Sequence, residues 1–173
     1  MASVLCLKMP VVWPAIGAAI LPNIGGWVNG YFLVDQVRTW YPTLILPKWS
    51  PPGWVFISVW TILYFSMGYA SYLVWRDGGG FTGAAQLPLA LYASQLALNW
   101  AWPLIFFGAH NLKWSLVEIC IWWLNVAGCG YFFFSINSTA GFLMVPYLAW
   151  LTFDTSLSYC VYRDNPKSKE PLI

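Results

Sequence analysis

The chain carries very little charge. Only 8 of its 173 residues are Lys or Arg and 6 are Asp or Glu, while hydrophobic types make up 60% of the chain. A water-soluble domain of this length could not cover its surface with so few polar groups. The net charge of +2 is also too small for a surface that binds nucleic acid. We therefore expect the lipid bilayer to be the solvent for most of this protein, and we expect no nucleic-acid partner.

The chain is equally poor in the residues that build metal centres and hydrolytic sites. It has a single histidine, His110, so no Ser/His/Asp set can be assembled inside a membrane. Its four cysteines form no Cys-x-x-Cys pair, which argues against a zinc site or a disulfide framework. The glycine run at 78–80 follows an apolar stretch, where glycines act as a stop and a turn. We expect no metal and no required cofactor.

Long apolar runs are abundant, and they predict membrane-spanning helices. A span needs about 20 apolar residues to cross roughly 30 Å of hydrocarbon. No charge occurs between Ile119 and Phe153, a stretch too long for one span, so we predict a hairpin at 135–141. The result is an all-α integral membrane protein, a five-transmembrane-helix bundle that forms a single domain over 1–173. Its helices are predicted at about 10–34, 52–75, 86–108, 114–134 and 142–162.

Basic residues are distributed unevenly between the two sides of this predicted bundle. Five spans place the termini on opposite sides of the membrane. The side with the first loop, the third loop and the C-terminus carries Arg38, Lys48, Lys113, Arg163, Lys167 and Lys169, whereas Lys8 and Arg76 lie on the other. The positive-inside rule therefore predicts that residues 163–173 form a cytoplasmic tail.

The first loop, at 35–51, is the only long one predicted. It is rich in aromatic residues and proline, whereas a mobile linker would be rich in Gly and Ser. We predict that this loop packs over one end of the bundle as a lid. An aromatic belt at the membrane interface is the alternative interpretation.

Thirteen tryptophans need an explanation in a chain of this length. Some belong at the membrane interfaces. Others fall inside the predicted spans, where Trp60, Trp114 and Trp150 are candidates to line a cavity for a flat, apolar ligand. Packing in the helix core is the alternative for each of them.

Polar residues inside the spans are costly, so each needs a role. Asn99 lies midway along the third span, with Gln95 one turn earlier on the same face. Asn99 either forms a hydrogen bond between helices or anchors a ligand. Asp154 would cost about 2.5 to 3.5 kcal/mol as a charge at mid-helix, so it must face the interior, be protonated or meet water. Trp150 and Leu157 share its helix face.

Two weaker patterns concern contacts with other helices and with sterols. Gly26 with Gly30, and Ala90 with Ser94, have the small-xxx-small spacing that serves either internal packing or a homodimer. Leu157, Tyr159 and Arg163 fit a proposed cholesterol-contact pattern. An interfacial tyrosine and an arginine that reaches the headgroups are the alternative interpretation of that pattern.

Blocks rich in tryptophan and proline resemble one known family across nearly the whole chain, from about 14 to 165. The matching blocks are 47–54 (PKWSPPGW), 60–64 (WTILY), 67–75, 95–108 (beginning QLALNWAWP), 146–151 (PYLAWL) and 163–165 (RDN). The chain is similar in these blocks to the translocator protein family, also called the peripheral-type benzodiazepine receptor or tryptophan-rich sensory protein family.

This resemblance implies a five-helix bundle, often dimeric, with a pocket that opens toward the first-loop side. It implies a membrane receptor for cholesterol, for porphyrins such as protoporphyrin IX and heme-type tetrapyrroles, and for synthetic benzodiazepine-type ligands, with a role in their transport or sensing. It also implies the mitochondrial outer membrane. The family's ligand positions, together with the mid-span residues Trp60 and Asn99, make the predicted ligand set Gly30, Phe56, Ile57, Trp60, Asn99, Trp114, Trp150, Asp154 and Leu157.

The resemblance also leaves two alternatives to a simple binding protein. One is an enzyme that degrades porphyrin in light, with Trp60 and Trp150 as the catalytic residues, as some bacterial members do. The other is a membrane scaffold whose ligands modulate its partners. The resemblance also strengthens the assignment of a sterol motif to Leu157, Tyr159 and Arg163. This chain differs from the family pattern at Asp154, where mammalian members usually have Ala, and at Ala90 and Ser94, where family members often have Gly.

Overall fold

The computed structural model describes residues 13–166, and in that part of the chain it contains five α-helices and no strand. The helices are α1 (Trp13–Thr39), α2 (Gly53–Asp77), α3 (Gln86–Pro103), α4 (Leu112–Ile136) and α5 (Ser138–Asp164). A short 3-10 turn, Tyr41–Thr43, lies in the first loop, and a π-helical turn, Leu104–Gly108, continues α3. The predicted all-α fold of five helices is confirmed.

The helices form a closed ring. Helix α2 packs against α1 and α5, α4 packs against α5 and α3, and a thinner contact between α3 and α1 completes the ring. Helices α2 and α4, of 25 residues each, are long and apolar enough to cross a membrane by length and composition alone. At a rise of about 1.5 Å per residue, each is longer than the hydrocarbon core of a bilayer. A ring of five helices leaves a central space that side chains must fill or line.

Several helices extend beyond their hydrophobic runs. Helix α1 continues past Asp35 to Thr39, and Thr39 Oγ1 donates to the Asp35 carbonyl at 2.7 Å within that extra turn. The first loop therefore begins after Thr39, later than the predicted start at residue 35. Polar residues are tolerated there because a helix can continue into water once it has left the hydrocarbon.

The predicted hairpin at 135–141 is much tighter than the polar run suggests. Helix α4 ends at Ile136 and α5 begins at Ser138, with Asn137 alone between them. The Oδ1 of Asn137 accepts a hydrogen bond from the Ala140 N–H at 2.9 Å, which caps α5. Helix α4 begins two residues earlier than predicted because Asn111 caps it in the same way, accepting from the Trp114 N–H at 3.0 Å.

A proline inside α1 lies where α1 and α2 come into close backbone contact. Pro22 has no N–H, so it leaves the Ala18 carbonyl without its intrahelical donor. Gly68 of α2 packs directly on that carbonyl, and a Cβ at Gly68 would overlap it. The two helix backbones can therefore meet only because residue 68 has no side chain.

One residue of each small-residue pair makes a contact within the chain. A Cβ at Gly26 would lie 2.7 Å from the Tyr64 ring of α2, whereas Gly30 faces open space. Ser94 Oγ accepts a hydrogen bond from Asn125 Nδ2 of α4 at 2.7 Å, and Ala90 is exposed. Dimerisation through these residues stays a prediction.

Candidate functional site

A cavity of about 440 Å³ lies inside the ring and reaches the first loop. All five helices contribute to its wall, because the ring has no helix at its centre. Among the residues that line it are Asn23, Gly30, Tyr41, Phe56, Ile57, Trp60, Tyr64, Asn99, Trp102, Phe106, Phe107, Trp122, Asp154, Leu157 and Ser158. Aromatic and aliphatic side chains dominate this lining, which is typical of sites for small apolar molecules.

The cavity extends to the gap between α1 and α2. The two helices touch at Gly26 and Tyr64, whereas one turn nearer the first loop Gly30 lines the cavity and meets no neighbouring atom within 4 Å. Trp27 of α1 and Ile57 of α2 line the cavity although they are 60% and 72% exposed. The cavity therefore opens sideways between these two helices.

Aromatic rings hold Trp60 in a fixed orientation on the cavity wall. Its indole stacks on Trp122 with centroids 5.6 Å apart and an interplanar angle of 17°. Tyr147 meets it edge-on at 5.9 Å, and Tyr64 lies at 5.5 Å. Such contacts each add to the burial energy and restrain the ring. Trp60 thus presents a rigid, flat surface.

A polar cluster behind this wall ties three helices together. Tyr147 of α5 donates to the Gln95 Oε1 of α3 at 2.6 Å, and Trp122 Nε1 of α4 donates to the Tyr147 oxygen at 2.9 Å. Gln95 and Tyr147 are completely buried. Their polar atoms are used within the protein, so this cluster stabilises the bundle.

Asn99 combines the two roles left open by the sequence. Its Oδ1 accepts a hydrogen bond from the Tyr64 hydroxyl of α2 at 2.8 Å, which links two helices. Its Nδ2 is buried beside the Tyr147 hydroxyl but forms no hydrogen bond of good geometry in the described part of the chain, and the residue lines the cavity. Asn23 has the complementary arrangement, with a buried Oδ1 that lacks a partner among the same residues.

Asp154 lies on the cavity wall and is 9% exposed. Its Oδ1 is buried without a hydrogen-bond partner among residues 13–166. No Lys, Arg or His of the described residues lines the cavity with it. Of the interpretations left open, the structure supports a carboxyl group that faces the interior.

Seven of the nine predicted ligand residues line the cavity: Gly30, Phe56, Ile57, Trp60, Asn99, Asp154 and Leu157. Trp114 is 59% exposed on α4 and lies outside it. Trp150 lies in a shallow outer groove between α2 and α5, with its ring 5.7 Å from Phe56. Residues four apart on a helix differ by about 40° around its axis, which is enough to place Asp154 inside and Trp150 outside.

The three residues of the sterol motif do not share one surface. Leu157 lines the cavity, Tyr159 is 53% exposed on the outer surface, and the Arg163 side chain extends from the end of α5, where it pairs with Asp164 at 2.7 Å. Positions 157 and 159 differ by about 200° around a helix, whereas 159 and 163 fall on one face. A single bound sterol cannot contact all three inside the cavity.

Sequence reasoning missed several residues of the cavity wall. Asn23 is a polar residue within the first span, so the argument that selected Asn99 would have found it. Tyr64 and Trp122 are aromatic residues within spans, but nothing in the sequence distinguishes them from aromatic residues that face lipid. Tyr41 reaches the cavity from the first loop, Trp102 from the end of α3, and Phe106 and Phe107 from the π-helical turn.

The first loop packs over the end of the cavity and is fastened to the end of α5. Asn165 Oδ1 accepts from the Ile45 N–H at 2.9 Å, and Asn165 Nδ2 donates to the Ile45 carbonyl at 3.1 Å. Trp40, next to the loop, stacks on His110 with centroids 4.1 Å apart, and His110 Nε2 lies 2.9 Å from the Gln36 Oε1. Burial raises the pKa of the Tyr41 hydroxyl, although its hydrogen bond to Ser50 opposes that effect.

Comparison with known proteins identifies the family. The family model of the TspO/MBR family matches residues 18–163. The chain is 47% identical to the human "Translocator protein" over 152 residues, which is 88% of this chain and 90% of that protein. It is 37% identical to human "Translocator protein 2" over 147 residues, or 84% and 86% of the two chains.

A bacterial relative shows the same similarity. The chain is 42% identical to the "Tryptophan-rich sensory protein" of Cereibacter sphaeroides over 126 residues, which is 73% of this chain and 77% of that protein. The five-helix ring, the apolar outer surface and these matches agree. The chain belongs to the TspO/MBR family of integral membrane proteins.

Proposed function

We propose that this protein is a membrane receptor that binds flat, lipophilic molecules inside its helix bundle, namely cholesterol and porphyrins such as protoporphyrin IX. The observation that carries the proposal is an aromatic cavity of about 440 Å³ whose wall holds polar atoms without a partner in the described residues. A cavity of this size suits a ligand of drug or sterol size. Synthetic benzodiazepine-type compounds belong to the same class, and no cofactor is required.

The chemistry of the wall supports such ligands. The Trp60 indole offers a planar ring a surface on which to stack. The Asn99 Nδ2 and the Asn23 Oδ1 offer a donor and an acceptor to a hydroxyl group or a pyrrole nitrogen. The gap between α1 and α2 gives a ligand dissolved in the bilayer a path that avoids water. Transport or sensing of these ligands is the proposed role, in the mitochondrial outer membrane.

Filling the cavity from Gly30 tests this proposal. Gly30 faces open space on the cavity wall, so the ring of a Gly30→Phe variant would occupy the ligand's volume. We expect the affinity for protoporphyrin IX, measured by quenching of tryptophan fluorescence in nanodiscs, to fall by at least about tenfold, or about 1.4 kcal/mol. Cholesterol should compete with the porphyrin in the unmodified protein.

The same helix offers a matched control. Gly17 of α1 also faces open space, but it is exposed on the outer surface and does not line the cavity. Gly17→Phe should bind protoporphyrin IX as the unmodified protein does. Equal affinities for the two variants would reject the cavity as the binding site.

A second candidate function is porphyrin degradation in light. One observation favours it: Trp60 stands on the cavity wall, stacked on Trp122, where its indole could donate an electron to an excited porphyrin. Trp150 does not line the cavity, but its ring contacts that of Phe56, which does, so it would act as a second donor behind the wall. Illuminated Trp60→Phe and Trp150→Phe variants should retain porphyrin absorbance if these residues carry the reaction. Loss of absorbance at the unmodified rate in both would exclude this mechanism.

A further inference from the structure

An uncompensated acid on the cavity wall points to the chemistry of the ligand. Asp154 is more than nine-tenths buried, and its Oδ1 has no hydrogen-bond donor within the described residues. The described residues that line the cavity include no basic side chain. A buried carboxyl group without a partner is costly, so this position is unfavourable unless another molecule supplies a donor.

The carboxyl group of Asp154 lies near the first-loop end of the cavity, among aromatic rings. Asp154 lies seven residues beyond Tyr147 on α5, which is two helical turns closer to the first loop. Asp154 and Tyr41 of the first loop line the same cavity. Aromatic rings of Tyr41, Phe56 and Phe106 line the same cavity. Carboxylate oxygens and aromatic faces both attract a cationic nitrogen.

We propose that Asp154 makes the cavity select apolar molecules that carry a protonated amine, whose ammonium N–H donates to the carboxylate oxygen while the flat body lies along the aromatic wall. This inference rests on the proposed function, since it assumes that the cavity binds ligands. It predicts an order of preference among molecules of equal shape. An amine binds most tightly, a neutral alcohol less tightly, and an anionic carboxylate least.

A series of pyrene derivatives tests this order with one flat body and three head groups. The probes are 1-pyrenemethylamine, 1-pyrenemethanol and 1-pyrenecarboxylic acid, and binding is followed by energy transfer from the protein's tryptophans to pyrene. The full-length protein is held in phosphatidylcholine nanodiscs. All variants share the same nanodiscs, so partition of a probe into lipid cancels between proteins.

The unmodified protein should bind the amine at least about tenfold more tightly than the alcohol, as expected for a hydrogen bond to a charged group. Asp154→Asn keeps the volume of the side chain and removes its charge. In this variant the affinities for the amine and the alcohol should differ by no more than about twofold. Its affinity for the alcohol should stay within about twofold of that of the unmodified protein.

Glu118→Gln is the matched control. Glu118 is also 9% exposed with both carboxyl oxygens lacking a partner in the described chain, but it does not line the cavity. This variant should keep the full preference for the amine. The inference is overturned if the unmodified protein binds amine and alcohol equally, or if Asp154→Asn retains the preference.

The two proposals fail in different ways. Saturable binding of 1-pyrenemethanol without any preference for the amine would disprove only the inference about Asp154 and would leave the proposed function standing. Absence of saturable binding for all three probes, together with equal porphyrin affinities of Gly30→Phe and Gly17→Phe, would remove the cavity as a ligand site and the amine inference with it.

Discussion

Asn165 shows how much a single side chain can determine at the mouth of the cavity. Its amide bonds both the N–H and the carbonyl of Ile45, and Nδ2 also donates to the Val161 carbonyl at 2.8 Å. The first loop is thereby attached to the end of α5 by a side chain that is 8% exposed. Without these bonds the loop would depend on the packing of Leu44 and its aromatic neighbours.

Replacing Asn165 should therefore loosen the first loop. Asn165→Ala leaves the Ile45 backbone groups without their partner, and we expect a loss of about 1 to 3 kcal/mol in the free energy of unfolding. Hydrogen exchange at residues 44–46, followed by mass spectrometry, should accelerate. Asn165→Asp keeps the acceptor and loses both donors, so its exchange rate should fall between the two. Unchanged exchange in Asn165→Ala would mean that packing alone holds the loop.

At the scale of elements, the contact between α1 and α2 depends on a proline in one helix and a glycine in the other. Pro22 frees a carbonyl, and Gly68 allows the second helix to approach it. Nearer the first loop, Gly30 of α1 faces the open space of the cavity, whose wall there includes the exposed Trp27 and Ile57. The α1–α2 pair thus combines close backbone contact at Gly68 with open cavity space beside Gly30.

A methyl group at residue 68 should therefore push the two helices apart. We expect Gly68→Ala to lower the free energy of unfolding by about 1 to 3 kcal/mol, because the added Cβ overlaps backbone that cannot rotate away. The measurement is equilibrium unfolding in mixed micelles followed by circular dichroism.

Gly128 of α4 provides the comparison, since a Cβ there meets nothing within 4 Å. Gly128→Ala should be neutral or more stable by up to about 1 kcal/mol, because alanine favours the helix. Equal destabilisation by both substitutions would show that helix packing at Gly68 is not the cause.

At the scale of the whole molecule, the helix ends define two unequal faces. The first loop, the turn between α3 and α4 and the end of α5 lie at one end of the bundle, and the two remaining connections lie at the other. The end with the first loop also closes the cavity, and of the basic residues that the structure describes it carries Arg38, Lys48, Lys113 and Arg163, whereas Arg76 lies at the other end. We infer that this end faces the cytoplasm.

Labelling from one side of the membrane tests that orientation. In a cysteine-free background, Lys48→Cys in the first loop and Thr82→Cys in the connection between α2 and α3 each introduce one exposed thiol. A maleimide that cannot cross membranes should modify Lys48→Cys in intact mitochondria and should reach Thr82→Cys only after the outer membrane is permeabilised. The opposite pattern would reverse the orientation.

Hydrophobic length determined the number of helices. An apolar run in lipid must satisfy its backbone polar groups internally, and a helix does so whatever its neighbours are. That is why the number and approximate positions of the five helices could be predicted from the sequence, although the connections at 35–51 and 135–141 are shorter than predicted. The same argument identified Asn99 and Asp154, because a polar group in a span must find a partner or a cavity.

Only the tertiary structure decided which side chains of those helices share the cavity. Trp60 and Trp150 are alike in the sequence, yet one lines the cavity and the other lies in an outer groove. In a membrane protein both the interior and the outer surface are apolar, so hydrophobicity does not distinguish the two faces of a helix. The faces are set by close contacts between distant residues, such as Gly68 with Ala18 and Tyr64 with Asn99. Those contacts exist only once the five helices have packed.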